Sequence, residues 1–266
     1  MLNNISLGRY YPGQSLLHRL DPRIKILASV LVMALIFLIK SPIPMAFLGI
    51  LTIILIILSR VPVKQVLNGL RPMLFILIFA FVLNLLTIKG TVWIKAGPLT
   101  ITDQGVFTAL RMIARLSLLV LNTTLLLTLT TTPILIADAI EKLFAPFQRI
   151  GFPAHEMAMM MSIALRFVPT LLEETDKIMK AQSSRGADYD TGGLISKARG
   201  LVSVLIPLFV SAFKRAEDLA VAMEARCYRG GSGRTRLKIM KYTRQDLVFS
   251  LLMAAAVGLT LFLQFR

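Results

Sequence analysis

The chain has very few of the side chains on which most enzymes and metal sites depend. Its 266 residues include one cysteine, Cys227, and two histidines, His18 and His155, which lie far apart in sequence. A single cysteine excludes an internal disulfide and suits a thiol-reducing compartment. Isolated histidines give no metal-ligand spacing. The sequence therefore predicts neither a disulfide framework nor a metal site in this chain.

Charge is also scarce. Charged residues make up 17% of the chain, whereas soluble domains have roughly 25%. The mean hydropathy is +0.73, and five runs contain no charge: 26–39, 43–59, 73–88, 116–129 and 247–265. With its flanks, each run is about long enough to cross a hydrocarbon layer of ~30 Å. We therefore expect an all-α membrane protein with about five transmembrane helices, unless the first two runs form one re-entrant hairpin around 40–44.

The distribution of positive charge predicts the orientation. The first 23 residues carry several charges and no long apolar stretch, so they do not resemble a cleavable signal peptide. Seventeen of the 30 lysines and arginines lie in 131–244, which places the N-terminus, 60–72 and 131–245 in the cytoplasm. Arg111 and Arg115 count against this topology unless they snorkel. We interpret the net charge of +16 as the result of positively charged cytoplasmic segments, which also attract anionic lipid. We expect no nucleic-acid partner.

Residues 131–245 differ from the rest of the chain. They hold eleven of the fourteen acidic residues, yet apolar residues recur there every three or four positions. This pattern predicts three amphipathic helices outside the bilayer: a short one over 134–150 and two long ones ending near 185 and 226. The predicted organisation is four spans in 1–130, a cytoplasmic coupling-helix domain in 131–245, and a last transmembrane helix in 246–266.

Prolines and glycines punctuate this domain. Pro169 and Pro207 fall inside the two long helices, where each removes a backbone hydrogen bond, and we expect them to bend or divide the helices. We expect a turn over 186–193 and a basic, glycine-rich connector over 229–244.

The two long helices end alike, in Ala-x-x-x-Arg, at Arg185 and at Arg226. One interpretation is local, because a cation near a helix C-terminus interacts favourably with the helix dipole. The other is a binding role, because the planar guanidinium pairs bidentately with carboxylates. The methionine cluster that starts at Met157 has two similar interpretations, as core filling or as an adaptable contact surface for a partner.

Several catalytic and transport signatures are missing. The chain has no G-x-x-x-x-G-K-[ST] motif for ATP. The predicted spans contain no acidic residue or histidine at depth, unlike most ion-coupled carriers. No acid, histidine and lysine groups converge as an active site would need. These absences indicate a protein that is coupled to another protein rather than one that works alone.

Three separated motifs carry a family resemblance. The stretch YPGQSLLHRLDPRIK (11–25), the stretch ALRFVPT (164–170) and the two arginine-tipped helices occur in this order. Together they resemble the transmembrane T component of energy-coupling factor (ECF) transporters, the CbiQ-like family, over essentially the whole chain. The first motif also has a local role, since Asp21 is a suitable N-cap and Pro22 a suitable first residue for a helix.

The resemblance implies an assembly in a prokaryotic cell membrane. A T component of this family is expected to bridge two ATP-binding-cassette ATPases, identical or different, and a substrate-binding membrane S component for vitamin or micronutrient uptake. One T component serves one S component or several. No cofactor is then expected in this chain, because ATP and Mg would be bound by the partner ATPases.

The resemblance also implies site residues. In the family each long cytoplasmic helix ends in Ala-Arg-Gly, whose arginine enters a groove on one ATPase. The matching triplets are Ser184-Arg185-Gly186 and Ala225-Arg226-Cys227. Both triplets depart from the family pattern, since Ser184 replaces an alanine and Cys227 a glycine. The cysteine puts that helix end in doubt, because it adopts a left-handed conformation only at a cost. We expect the S component to contact a surface formed by Met157, Met160, Met161 and Ala164.

The sequence thus predicts a non-enzymatic, energy-coupling transmembrane subunit of an ECF-type importer. The alternative is a permease subunit of a conventional binding-protein-dependent importer, which would also bind ATPases but would line the substrate path itself. A membrane enzyme or a self-sufficient carrier is disfavoured by the missing ionisable groups.

Overall fold

The computed structural model describes residues 10–88, 90–96, 99–187, 193–230 and 242–265, and these are predominantly helical. Ten α-helices are present in them: α1 (Leu16–Arg19), α2 (Pro22–Leu38), α3 (Pro42–Ser59), α4 (Val63–Asn68), α5 (Leu74–Thr87), α6 (Asp103–Thr123), α7 (Pro133–Phe144), α8 (Ala154–Ser184), α9 (Leu194–Ala225) and α10 (Arg244–Phe265). Short 3-10 segments span Arg71–Met73 and Ala145–Ile150, and a π-helical segment, Thr124–Leu129, continues α6. The predicted all-α membrane class is confirmed. A small antiparallel hairpin, β1 (Val92–Ala96) and β2 (Leu99–Thr102), precedes α6 and was not predicted.

Local sequence explains where the helices begin. The carboxylate of Asp21 accepts a hydrogen bond of 2.9 Å from the backbone N–H of Arg23, and Pro22 is the first residue of α2, as predicted. The hydroxyl of Thr102 caps α6 by accepting from the N–H of Gly105 at 3.1 Å. Each cap satisfies a backbone donor that has no partner within its helix.

The described residues form two compact units. The membrane unit comprises the described residues of 10–139 and 242–265, and the long-helix unit comprises those of 140–230. The chain passes from the first to the second within α7.

Four helical segments of the described chain are long and apolar enough to cross a membrane: Pro42–Ser59, Val63–Thr87, Asp103–Leu129 and Arg244–Phe265. The first predicted span corresponds to α2, which has 17 residues and so lies at the lower limit of the ~17–25 that cross a bilayer. The fourth span begins at Asp103 rather than near 116. Arg111 and Arg115 therefore lie inside its helix instead of in a preceding loop.

The membrane unit is apolar both inside and outside. Its core surrounds α2, where Val32 and Ile36 pack with Leu48 of α3, Leu118 of α6 and Met253 of α10. Its surface exposes large apolar side chains on the other faces of the helices, including Phe37, Ile57, Phe75, Leu251 and Phe262. So much exposed apolar surface is the arrangement expected of a protein solvated by lipid rather than by water.

The long-helix unit is dominated by α8, with 31 residues, and α9, with 32. Both helices run without interruption through Pro169 and Pro207, so the prolines do not divide them. At the start of α8, His155 Nδ1 lies 3.0 Å from Glu141 Oε1 of α7. Most of the predicted turn at 186–193 and most of the predicted connector at 229–244 lie outside the described residues.

Candidate functional site

The N-terminal motif folds into a compact, hydrogen-bonded segment of the membrane unit. His18 Nε2 lies 2.9 Å from the carbonyl oxygen of Tyr11, and His18 Nδ1 lies 2.6 Å from the hydroxyl of Ser15. Because a carbonyl only accepts, Nε2 is the donor in the contact with Tyr11. The N–H of Tyr11 in turn donates to the carbonyl of Leu129 at 3.0 Å. The motif is therefore anchored to the end of the α6 span.

A buried polar cluster continues from this motif. Asp246, at the start of α10, is 1% exposed and accepts hydrogen bonds from the N–H of Asp21 at 2.7 Å and from that of Thr243 at 2.8 Å. Lys25 of α2, also 1% exposed, donates to the carbonyl of Thr130 at 3.0 Å and to the hydroxyl of Thr131 at 3.2 Å. The cluster joins the beginnings of α2 and α10 to the end of the α6 span. Sequence reasoning missed Asp246, Thr130 and Thr131 as members of this cluster.

In the long-helix unit, α8 and α9 pack side by side in opposite directions. The carboxylate of Glu174 accepts a hydrogen bond from the hydroxyl of Ser211 and one of 2.5 Å from Arg215 Nη2. Further along, the hydroxyl of Tyr228 contacts the sulfur of Met159 at 2.9 Å. The later residue of α8, at 174, contacts 211–215 of α9, whereas the earlier residue, at 159, contacts 228. Residue numbers therefore rise along one helix as they fall along the other, which shows that the two helices are antiparallel. The C-terminus of α9 therefore lies beside the beginning of α8.

The Glu174 contact makes the packing of α8 on α9 sensitive to pH. The hydrogen bond from Ser211, followed by the hydrogen bond and charge of Arg215, lowers the pKa of Glu174 from its ordinary value. Because the pKa of Glu174 is lower in the folded state than in the unfolded state, its ionised carboxylate stabilises the fold at pH values above its unfolded-state pKa. This contribution is lost as the pH falls through its folded-state pKa. We expect Glu174→Gln to destabilise the unit at pH 7 by at most ~1 kcal/mol, as for other partly exposed ion pairs. Thermal unfolding of the wild-type chain and of Glu174→Gln at pH 7 and near pH 4 measures this effect. A difference in unfolding temperature that is the same at both pH values would contradict a role for the ionised Glu174 carboxylate.

Arg185 stands at the C-terminal end of α8. The N–H of Gly186 donates to the carbonyl of Ser183, and the N–H of Ala187 donates to that of Gln182, both at 3.0 Å. Gly186 has φ +88°. This is a Schellman cap, in which a residue in the left-handed conformation ends the helix directly after the arginine.

Arg226 stands at the equivalent position of α9, with the same cap. The N–H of Cys227 donates to the carbonyl of Glu224 at 2.8 Å, and the N–H of Tyr228 donates to that of Met223 at 3.0 Å. Cys227 has φ +54°. The departure from glycine therefore leaves the cap in place. It does place a side chain with a Cβ in a region that costs L-residues roughly 1–2 kcal/mol.

This cost predicts the effect of restoring the glycine. We expect Cys227→Gly to slow hydrogen exchange about fivefold at the backbone amides of residues 227 and 228, the equivalent of ~1 kcal/mol, because the left-handed strain is relieved. Cys227→Ala is the matched control, since it also removes the thiol but keeps the Cβ. Equal exchange in the two variants would show that the cap is not strained.

Both arginine side chains are exposed, and neither has a hydrogen bond or an ion pair with any described residue. Because α9 runs back along α8, the two arginines lie at opposite ends of the helix pair. Tyr228 contacts Met159, so the tip carrying Arg226 lies near residue 161 of α8. Arg185 follows some 24 residues later, or about 35 Å at ~1.5 Å per residue.

The predicted methionine surface is also exposed. Met157, Met160 and Met161 are between 49% and 58% exposed, and Ala164 is exposed as well. The inner side of the same helix is formed by Ala154 and Ala158, which are buried. The core-filling interpretation of these three methionines is therefore wrong, whereas a partner contact at this surface stays a prediction.

The described residues contain no cluster of three or more histidine, cysteine or acidic residues able to hold a metal ion. The candidate site remains the pair of exposed arginines at the ends of α8 and α9. The apolar membrane-length helices of the same chain indicate an integral membrane protein.

Comparison with known proteins agrees with this class. The family model CbiQ, described as "Cobalt transport protein", matches residues 13–237. The "Energy-coupling factor transporter transmembrane protein EcfT" of Ruminiclostridium cellulolyticum is 54% identical over 248 residues, which cover 93% of this chain and 92% of the relative. The proteins of the same name from Acidaminococcus fermentans and Bacillus subtilis are 47% and 46% identical over 264 residues each, covering 97–99% of this chain and 98% of each relative. The chain belongs to the CbiQ family, the transmembrane T components of energy-coupling factor transporters.

Proposed function

We propose that this chain is the energy-coupling subunit that links two cytoplasmic ATPases to a substrate-binding S component, for vitamin or micronutrient uptake. The observation that carries the proposal is the pair of equivalent arginine tips. They share one cap geometry, are exposed, and have no partner among the described residues.

The separation of the tips supports two ATPase sites rather than one. Two cations some 35 Å apart are too far apart to enter a single small acidic pocket, but they suit one pocket on each of two similar subunits. Arginine is the appropriate residue, because its five donors form two parallel hydrogen bonds with a carboxylate. The docking triplets are Ser184-Arg185-Gly186 and Ala225-Arg226-Cys227.

The proposed orientation places the N-terminus and residues 131–245 in the cytoplasm, with the chain in the cell membrane. The excess of lysine and arginine in those segments supports this orientation. The exposed surface of Met157, Met160, Met161 and Ala164 is the proposed contact for the S component, since methionine adapts to partners of different shape.

In the proposed mechanism, the chain converts the closing and opening of the ATPases into movement of the S component. The long helices are continuous and are cross-linked by Glu174, Ser211 and Arg215, so a displacement at either tip is transmitted along both. Pro169 and Pro207 are the proposed points of bending, because each leaves one carbonyl without its helical donor. ATP and Mg would be bound by the partners, and the chain itself supplies no catalytic group.

Purification of the chain from its native membrane in mild detergent tests the proposal. We expect two ATPase polypeptides and at least one further membrane protein to copurify. Substrate should protect that membrane protein, and not this chain, from proteolysis. Protection of this chain instead would favour the alternative of a conventional permease that lines the substrate path.

Cysteine crosslinking tests the S-component surface separately. In a Cys227→Ser background, we expect Met160→Cys to crosslink to the S component because this side chain is 58% exposed. Lys214→Cys, exposed in the middle of α9, is the control and should give no such product. Crosslinks from Met160→Cys confined to this chain would reject the surface.

A further inference from the structure

A groove between two helices of the membrane unit contains an arginine that the proposed function does not use. The groove lies between the first half of α3 and the first two-thirds of α6, and its volume is about 490 Å³, within the ~300–1,000 Å³ typical of small-molecule sites. Its walls are almost entirely apolar, with Ala46 and Gly49 on α3 facing Ala114 and Leu118 on α6, and its polar lining residues are Arg111 and Ser117.

Arg111 and Arg115, one helical turn apart on α6, have different environments. Arg115 Nη2 donates to the carbonyl of Ile39 at 2.5 Å, so Arg115 caps the C-terminus of α2. The guanidinium of Arg111 has no hydrogen bond or ion pair with any described residue. It lies eight residues inside the span, or about 12 Å from the start of the helix. A cation at such a depth is costly unless it is paired or reaches a polar group.

The two ends of the groove differ in polarity. Two contacts show that α3 and α6 run in the same direction. Asn122 Nδ2 donates to the hydroxyl of Thr52 at 2.9 Å, and Arg115, earlier on α6, reaches the carbonyl of Ile39, just before α3 begins. Residues at the same level of the two helices therefore differ by about 70 in number. Pro42 of α3 therefore lies at the level of Arg111, whereas Gly49 lies near Leu118 at the other end, where Ser117 is the one polar lining residue and is uncharged. The groove thus has a positive charge near one end and apolar walls extending along the helices from it.

We propose that this groove binds one anionic phospholipid, with the lipid phosphate paired to Arg111 and an acyl chain lying along Ala46, Gly49, Ala114 and Leu118. The charge arrangement identifies the ligand class, because an amphiphile with a negative head and a long apolar tail complements a groove with one cation and otherwise apolar walls. The guanidinium fork is suited to bidentate contact with phosphate oxygens. Both helices are membrane spans by length and composition, so lipid is the molecule that surrounds the groove.

Gly49 provides a direct way to fill the groove. A Cβ added at Gly49 would meet no heavy atom within 4 Å, so a larger side chain there projects into open space. Gly49→Leu is therefore expected to fold normally and to occupy the path of the acyl chain. Arg111→Gln removes the charge while keeping a polar side chain of similar length.

Native mass spectrometry of the full-length chain in mild detergent tests the proposal, with phosphatidylglycerol and phosphatidylcholine of identical acyl chains as probes. We expect the wild-type chain to bind phosphatidylglycerol about tenfold more tightly than phosphatidylcholine, and Arg111→Gln to abolish this preference. Gly49→Leu should weaken binding of both lipids. Arg71→Gln is the matched control, since Arg71 is exposed in a 3-10 turn and does not line the groove. It should leave the preference intact.

Three results would overturn the proposal. One is an unchanged preference in Arg111→Gln, and another is an equal loss in Arg71→Gln, which would indicate unspecific attraction to basic residues. The third combines two observations on Arg111→Gln: lipid binding is unchanged, and a membrane protein that copurifies with the wild-type chain is lost. This result would show that the groove binds a protein partner instead of a lipid.

Discussion

The Arg185→Glu, Arg226→Glu double variant is expected to reach the membrane but to lose both ATPases on purification and to support no uptake. Each substitution replaces a cation by an anion at a tip that is exposed in the described structure, and an acidic groove would repel it. Losing one desolvated, charged hydrogen-bonded contact costs ~2–5 kcal/mol, so each single variant should bind at least ~30-fold more weakly. Copurification and uptake by whole cells measure the two effects.

Matched substitutions separate docking from general charge effects. Lys214→Glu changes the charge by the same amount as either single arginine-to-glutamate substitution, but at an exposed position within α9, and should leave ATPase binding unchanged. Arg185→Lys and Arg226→Lys retain the charge but not the planar fork, so they should weaken docking to an intermediate degree. A double glutamate variant that still copurifies with ATPases and transports normally would refute the proposed docking sites.

The second large effect is expected at the start of α10, where Asp246→Asn should strongly destabilise the membrane unit. The two carboxylate oxygens of Asp246 accept from the N–H groups of Asp21 and Thr243. Asparagine offers one oxygen, so its amide would face either the buried N–H of Asp21 or the partly buried N–H of Thr243 and leave that donor without its acceptor. Because Asp246 is buried, we expect a loss of about 3 kcal/mol, from one charge-assisted hydrogen bond that is lost, with its donor left unsatisfied, and one that is weakened. Thermal unfolding in detergent and the protein level in the membrane measure this loss.

Asp103→Asn is the control for this prediction. Asp103 also stands in the first turn of a span, but it is exposed. Its contribution should be limited to the helix dipole, typically ~0.3–1 kcal/mol. If the two variants unfold at the same temperature, the buried cluster does not hold the helix ends together.

Features that depend on local sequence were predictable. The start of α2 follows from an aspartate before a proline, and the long helices with their arginine tips follow from a continuous apolar period. The positions of four long apolar helices follow from charge-free runs. In each case the cause lies within a few residues of the effect, so no knowledge of tertiary contacts is needed.

Features that depend on contacts distant in sequence were not predictable in the same way. Nothing near Asp246 shows that its partner is the N–H of Asp21, 225 residues earlier. An acidic residue immediately before the last apolar run was the only local signal. The start of α6 at Asp103 was missed because Arg111 and Arg115 were assigned to a loop. Arg115 is accommodated inside the span by the carbonyl of Ile39, a contact that only the packed structure reveals.

The native thiol beside Arg226 allows the most direct test of the docking claim. Cys227 is exposed and is the chain's one cysteine, so a thiol reagent reports on this tip without any substitution. In a Cys227→Ser background, Ser184→Cys reports on the other tip in the same way. The account predicts rapid labelling of either thiol in the isolated chain and strong protection of both in the complex with ATPases. Equal labelling rates with and without the ATPases would contradict it.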